Sequence, residues 1–155
     1  VKASRVPTPR ISVAGALNNA GTYFSNKGDY KQAEILFASA IVILPRYGNA
    51  IVHYANCLLK QERPADALVA FERVFQIGAY NRYAEARDGL RLVLEALPDN
   101  RQALTMLLEA YTVSGNLASA VIYCEDWLAK HPDDQEIAEK HARIANASAR
   151  RKRDE

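Results

Sequence analysis

Gly28-Asp29-Tyr30-Lys31-Gln32-Ala33-Glu34-Ile35-Leu36-Phe37-Ala38-Ser39-Ala40, closed by Pro45, is the stretch on which the fold turns. Ala33, Phe37 and Ala40 recur at helical spacing. Gly28 sits where a preceding helix must stop and the chain reverse, a place that favours a residue tolerant of left-handed geometry. Pro45 ends the helix, because proline cannot continue an intrahelical hydrogen-bond ladder. Ahead of Gly28, Leu17, Ala20, Gly21 and Phe24 are also spaced for a helix. Ala20, Gly21 and Ala33 are small where two helices must approach, while Phe24, Leu36 and Phe37 carry bulk that fills the space between units. The reading is a helix, a tight reversal and a second helix.

The same unit recurs. A shift of 34 residues gives Ile51, Tyr54, Ala55 and Leu58, then Ala67, Phe71 and Val74. A further shift of 53 gives Leu104, Leu107, Leu108 and Tyr111, then Gly115, Leu117, Ala120, Cys124, Trp127 and Pro132. Recurrence of one unit at about 34 residues, here lengthened once, is the signature of a stacked helical array.

The template resembles the tetratricopeptide repeat family, over residues 14–47, 48–81 and 101–134. The resemblance implies an all-α, right-handed helical solenoid of about eight helices. The second unit departs from the template, with Glu62 and Pro64 where the first has Gly28 and Tyr30, although Pro64 suits the opening of a helix. The longer second step predicts one extra, unpaired helix over 82–97. Tyr83, Ala86, Leu90, Val93 and Pro98 make it similar to the second helix of a unit, whereas Tyr83-Ala84-Glu85-Ala86 with Gly89 makes it similar to a first helix; the sequence supports both. Asp133 and Asp134 cap a last helix over 134–149, with Ile137, Ala138, His141, Ile144 and Ala145 on one face, as a stack needs where it ends in water. The repeat domain is expected over 13–149, after a linker or disordered N-terminus at 1–12 and before a charged tail at 150–155.

Composition fits one such domain: 155 residues, 49% hydrophobic and 25% charged. Twenty Lys+Arg against eighteen Asp+Glu leave +2, too little to gather nucleic acid or an anionic membrane surface. No apolar run, Ile41 to Leu44 included, approaches the roughly 20 residues that span a bilayer. The N-terminal Val1 to Arg10 carries Lys2, Arg5, Arg10 and two prolines, and is read as a linker, so a removed upstream signal leaves the compartment open between cytoplasm and export.

Catalytic and cofactor motifs are not found. His53, His131 and His141 fall on separate elements, and Cys57 and Cys124 lie in helical apolar patterns with no metal-ligand spacing, which reads as two small buried hydrophobes. No phosphate loop, His-Glu-x-x-His or calcium loop is present. Asp133-Asp134 reads as a cap rather than an acid/base pair, and no enzyme activity, metal or cofactor is expected. Arg150-Arg151-Lys152-Arg153 has no interleaved aromatic and is followed by Asp154-Glu155, so it reads as a solvated, fraying helix end rather than a nucleic-acid contact.

The resemblance implies a concave groove lined by the first helix of each unit. Its exposed inward positions map to Asn18, Asn19 and Thr22, to Asn49, His53 and Asn56, and to Gln102, Met106 and Glu109. Asparagine offers both a donor and an acceptor, as a peptide unit requires. The plain alternative is that these are solvated helix positions. Family members that clamp a chaperone's terminal carboxylate use lysines and an arginine there, and Asn18, Thr22, His53, Gln102 and Met106 supply no cation to offset its desolvation. The expected function is a scaffold or adaptor for a partner protein or peptide, and the Leu97-Pro98-Asp99-Asn100 and His131-Pro132-Asp133-Asp134 idioms suggest a bacterial secretion, pilus or envelope assembly. Two alternatives stand beside it: a module that self-associates through Tyr80 and Tyr83, and a regulatory domain of a larger enzyme.

Overall fold

The computed structural model describes residues 9–154, which form eight α-helices and no strand. They are α1 (Pro9–Asn26), α2 (Tyr30–Ile43), α3 (Gly48–Lys60), α4 (Pro64–Gln76), α5 (Tyr83–Ala96), α6 (Arg101–Val113), α7 (Leu117–Lys130) and α8 (Gln135–Asp154). Most of the segment read as a linker lies outside the described residues, but α1 already begins at Pro9. Proline suits a first helical position because its fixed φ matches the helix and its missing N–H needs no partner there.

Local chemistry sets the helix limits. Asp29, Asn100, Asn116 and Asp134 each accept a backbone N–H three residues ahead, from Gln32, Ala103, Ser119 and Ile137. Four helices end in the same reversal, with one residue at positive φ: Gly28, Glu62, Gly78 and Gly115. In each, the next backbone N–H reaches back to close the last turn, as Asp29 does to Phe24 and Arg63 to Leu58.

Consecutive helices pack side by side along the chain. Gly21 of α1 lies against the Phe37 ring of α2, so that a Cβ there would fall 2.6 Å from Phe37 Cε1. The extra helix α5 packs on α3, α4 and α6. It carries both of the characters that its sequence offers. Gly89 lies against the Phe71 ring of the preceding helix α4, whereas Gly21 lies against Phe37 of the helix that follows it; a glycine at a close crossing is the first-helix trait. Tyr83, Ala86, Leu90 and Val93 form its buried stripe, which is the second-helix trait. One apolar cluster runs from Ala14 through Phe71 and Leu107 to Trp127 and Ile137.

Candidate functional site

The first helices of the first two units, α1 and α3, meet through a polar pair. His53 Nδ1–H donates to Asn18 Oδ1 at 2.9 Å. Asn18, expected to be exposed, is only 4% exposed, because α3 covers it and uses its carbonyl oxygen. The imidazole lies 5.5 Å from the Phe37 ring. Burial holds the His53 pKa below its ordinary value, and Arg82 adds to this while Glu85 opposes it. Arg82 Nε is itself buried without a hydrogen-bond partner among the described residues, beside an Arg82–Glu85 ion pair of 2.9 Å.

Thr22 Oγ1–H donates to the Asn18 carbonyl at 3.0 Å, a bond within its own helix. Asn19, Asn49 and Asn56 differ. Asn19 is exposed, Asn49 and Asn56 are half-buried, and none of the three amides has a hydrogen-bond partner among the described residues. Asn56 opens on a cleft of about 570 Å³ whose walls are Leu59 and Lys60 of α3, Glu62 and Pro64 of the next turn, and Leu92 and Ala96 of α5. Sequence reasoning missed Leu59, Lys60 and Leu92, since their convergence depends on where the extra helix docks. Glu62 did leave a signal, since it stands in the second unit where the first has Gly28.

The third set of expected residues does not join this surface. Gln102 and Met106 line a separate cleft of about 450 Å³ with Glu72, Phe75 and Gln76 of α4 and Glu136 of α8. Met106, expected to be exposed, is 7% exposed, because it packs into the main apolar cluster. Glu109 accepts from the Tyr83 hydroxyl at 3.5 Å. Tyr83, read as surface, is buried with its ring 4.3 Å from Phe75, whereas Tyr80 is exposed.

The other histidines and the two cysteines sit in structural settings. His131 stacks on Trp127 at 4.1 Å, and His141 Nε2 lies 3.4 Å from Glu125. The Cys57 thiol donates to the Tyr30 carbonyl at 3.0 Å, and burial pushes the Cys124 thiol up to about 11, far from a reactive thiolate. Arg151, read as solvated tail, lies in α8 and donates to the Gly115 carbonyl at 3.0 Å. No group of potential metal ligands occurs among the described residues, and no helix there is long and apolar enough to cross a membrane.

Residues 79–144, from the end of α4 into α8, match the family model described as tetratricopeptide repeat. No curated protein sequence matches the chain. Similar solved structures include the N-terminal domain of stress-induced protein-1 from C. elegans, at 16% identity and TM-score 0.49, covering 89% of this chain and 98% of that one. Pseudomonas aeruginosa pilF is 17% identical at TM-score 0.46, covering 92% and 72%. The second tetratricopeptide domain of human RPAP3, solved with an HSP70 peptide, is 17% identical at TM-score 0.38, covering 88% and 98%. None is similar enough to carry its own binding partner over to this chain. The helix-reversal-helix units and the small-on-aromatic crossings accompany that match, so residues 79–144 carry the tetratricopeptide repeat pattern within an all-helical array.

Proposed function

We propose that the chain is an adaptor that holds an extended segment of a partner protein along α1, α3 and α5. The observation that carries this reading is the set of unpartnered amides at Asn19, Asn49 and Asn56, beside the α3–α5 cleft. Each amide has two donors and an acceptor, and a peptide unit presents one of each in return. The cleft beside Asn56 has an apolar floor at Leu59, Leu92 and Ala96, which suits one aliphatic side chain of the bound segment. Asn18 and His53 take no part in holding the segment; their mutual bond fixes the spacing of α1 and α3 beneath it. A terminal carboxylate is a poor fit, because a neutral imidazole and amides offset its charge weakly.

The test begins with affinity capture from the source cell followed by mass spectrometry, and then calorimetric titration of the captured partner's binding segment. At about 0.5 to 1.5 kcal/mol for each net hydrogen bond, changing Asn19, Asn49 and Asn56 together to alanine should weaken binding roughly tenfold to a thousandfold. The melting temperature should hold, since no buried group is orphaned. Unchanged affinity would move the site off this face.

A further inference from the structure

A second surface lies between the outer helices of the first two units. Ile35, Ala38 and Val42 fall at helical spacing on α2, and Val69 and Ala70 stand on α4. Val42 is 80% exposed, Val69 67% and Ile35 59%. Between these helices runs a groove of about 420 Å³, floored by Ile51, Tyr54 and Leu58 of α3. Aliphatic side chains standing this far into water beside a preformed apolar floor mark an interaction surface.

Its charge is uneven. At one end Arg63 is satisfied by Glu34 at 3.0 Å and by Asp66 at 2.7 Å. At the other end Arg73 donates only to the Pro45 carbonyl, and Arg46 of the same turn only to the Ile77 carbonyl. Arg10 of α1 borders a second hollow, of about 490 Å³, beside Val42 and Ile43. None of Arg10, Arg46 and Arg73 has a carboxylate partner among the described residues. Arg10 and Arg73 therefore both border Val42, with Arg46 in the adjoining turn, and no carboxylate among the described residues pairs with them.

We propose that this groove docks an amphipathic helix of a partner protein, with its aliphatic stripe on Val42, Val69 and the α3 floor and an acidic residue at the Arg73 end. Two neighbouring helices with an apolar trough between them accept a third by burying side chains spaced i, i+3, i+7. The arginines that lack a carboxylate partner set the direction in which that helix lies. This surface is separate from the Asn19–Asn49–Asn56 face, so the two sites can fail independently.

The test uses the full chain and three synthetic helical peptides: one with leucines at i, i+3, i+7 and glutamates at one end, one with lysines in place of those glutamates, and one with the leucine spacing scrambled. Binding is read from methyl NMR shifts of Val42 and Val69 and from fluorescence anisotropy at low salt. The acid-ended peptide should bind best, by roughly fivefold over the lysine-ended one, as expected for one exposed ion pair of up to about 1 kcal/mol. Val42→Asp with Val69→Asp should abolish binding without lowering the melting temperature, and Arg73→Glu should reverse the peptide preference. Equal binding of the scrambled peptide, equal binding of the two charge forms, or no methyl shift at millimolar peptide would each overturn the proposal. A concentration-dependent dimer that Val69→Asp breaks would also overturn it, assigning the groove to a second copy of the chain.

Discussion

The side chain of Asn18 accepts a 2.9 Å hydrogen bond from His53 Nδ1, joining the first helices of two successive units through a polar contact beside the Phe37 ring. Removing the acceptor leaves the imidazole N–H without a partner in a place where water reaches it poorly. Asn18→Ala should therefore cost about 1 to 3 kcal/mol in chemical denaturation. A variant as stable as the parent would show that the bond is replaced by solvent.

The pair also gives stability a pH dependence of known sign. Burial, the larger cause, holds the folded-state pKa of His53 below its ordinary value of about 6.5. Above that value both folded and unfolded chains carry a neutral imidazole, and this residue contributes no slope. As pH falls below it, the unfolded chain takes up a proton that the folded chain resists, so stability falls. Between about pH 7.5 and pH 5, the parent should lose more stability than His53→Asn; equal losses would mean that the folded imidazole titrates like a free one.

The two glycine-on-aromatic crossings should both reject bulk. A Cβ at Gly21 falls 2.6 Å from the Phe37 ring, and one at Gly89 meets the Phe71 ring even more closely. Gly21→Leu and Gly89→Ala should each cost about 1 to 3 kcal/mol or more. Shrinking the opposing ring tests the cause: Phe71→Leu should be less damaging in the Gly89→Ala background than alone, and additive losses would place the strain elsewhere.

The repeat pattern was legible because Gly21, Ala33, Phe37 and their counterparts are dictated by helix crossings, which depend on neighbours within a unit. Helix α5 was legible as an insertion from the lengthened period, but its packing was not. Gly89 and the Tyr83–Val93 stripe serve different neighbours, and one chain cannot say which neighbour comes first. The expected groove suffered for the same reason. Met106 and Gln102, mapped onto a regular third unit, lie instead in the main apolar cluster and in a cleft shared with α4 and α8. Asn18 failed differently, since a polar residue on an inward face can be spent on a neighbouring histidine, a pairing 35 positions apart in the chain.

Glu62 is the only non-glycine among the described residues at positive φ, at 58°. Its three counterparts at the same reversal are Gly28, Gly78 and Gly115. A side chain in left-handed geometry costs about 1 kcal/mol relative to glycine, so Glu62→Gly should stabilise the fold by roughly that amount. Because Glu62 also forms part of the rim beside Asn56, the same change should alter partner binding at that cleft. Loss of stability in thermal melts would show that its carboxylate contributes more than the backbone strain removes.

The last helix should prove part of the fold rather than an appendage. Ile137 is fully buried in the main apolar cluster beside Trp127 and Cys124, and Asp134 at the start of the helix accepts bonds from Trp127 Nε1 at 3.0 Å and from Arg101 at 2.8 Å. Ile137→Ala should cost about 2 to 5 kcal/mol through lost burial and the cavity left behind. Deleting residues 135–155 goes further, since it uncovers the outer side of α7 and removes the polar face that lets the stack end in water. The truncated chain should aggregate or unfold without a cooperative transition, as read by light scattering and circular dichroism. A monomer that melts at the parent temperature would refute the capping role, and a soluble monomer with a lowered but cooperative melt would limit that role to the Ile137 contact.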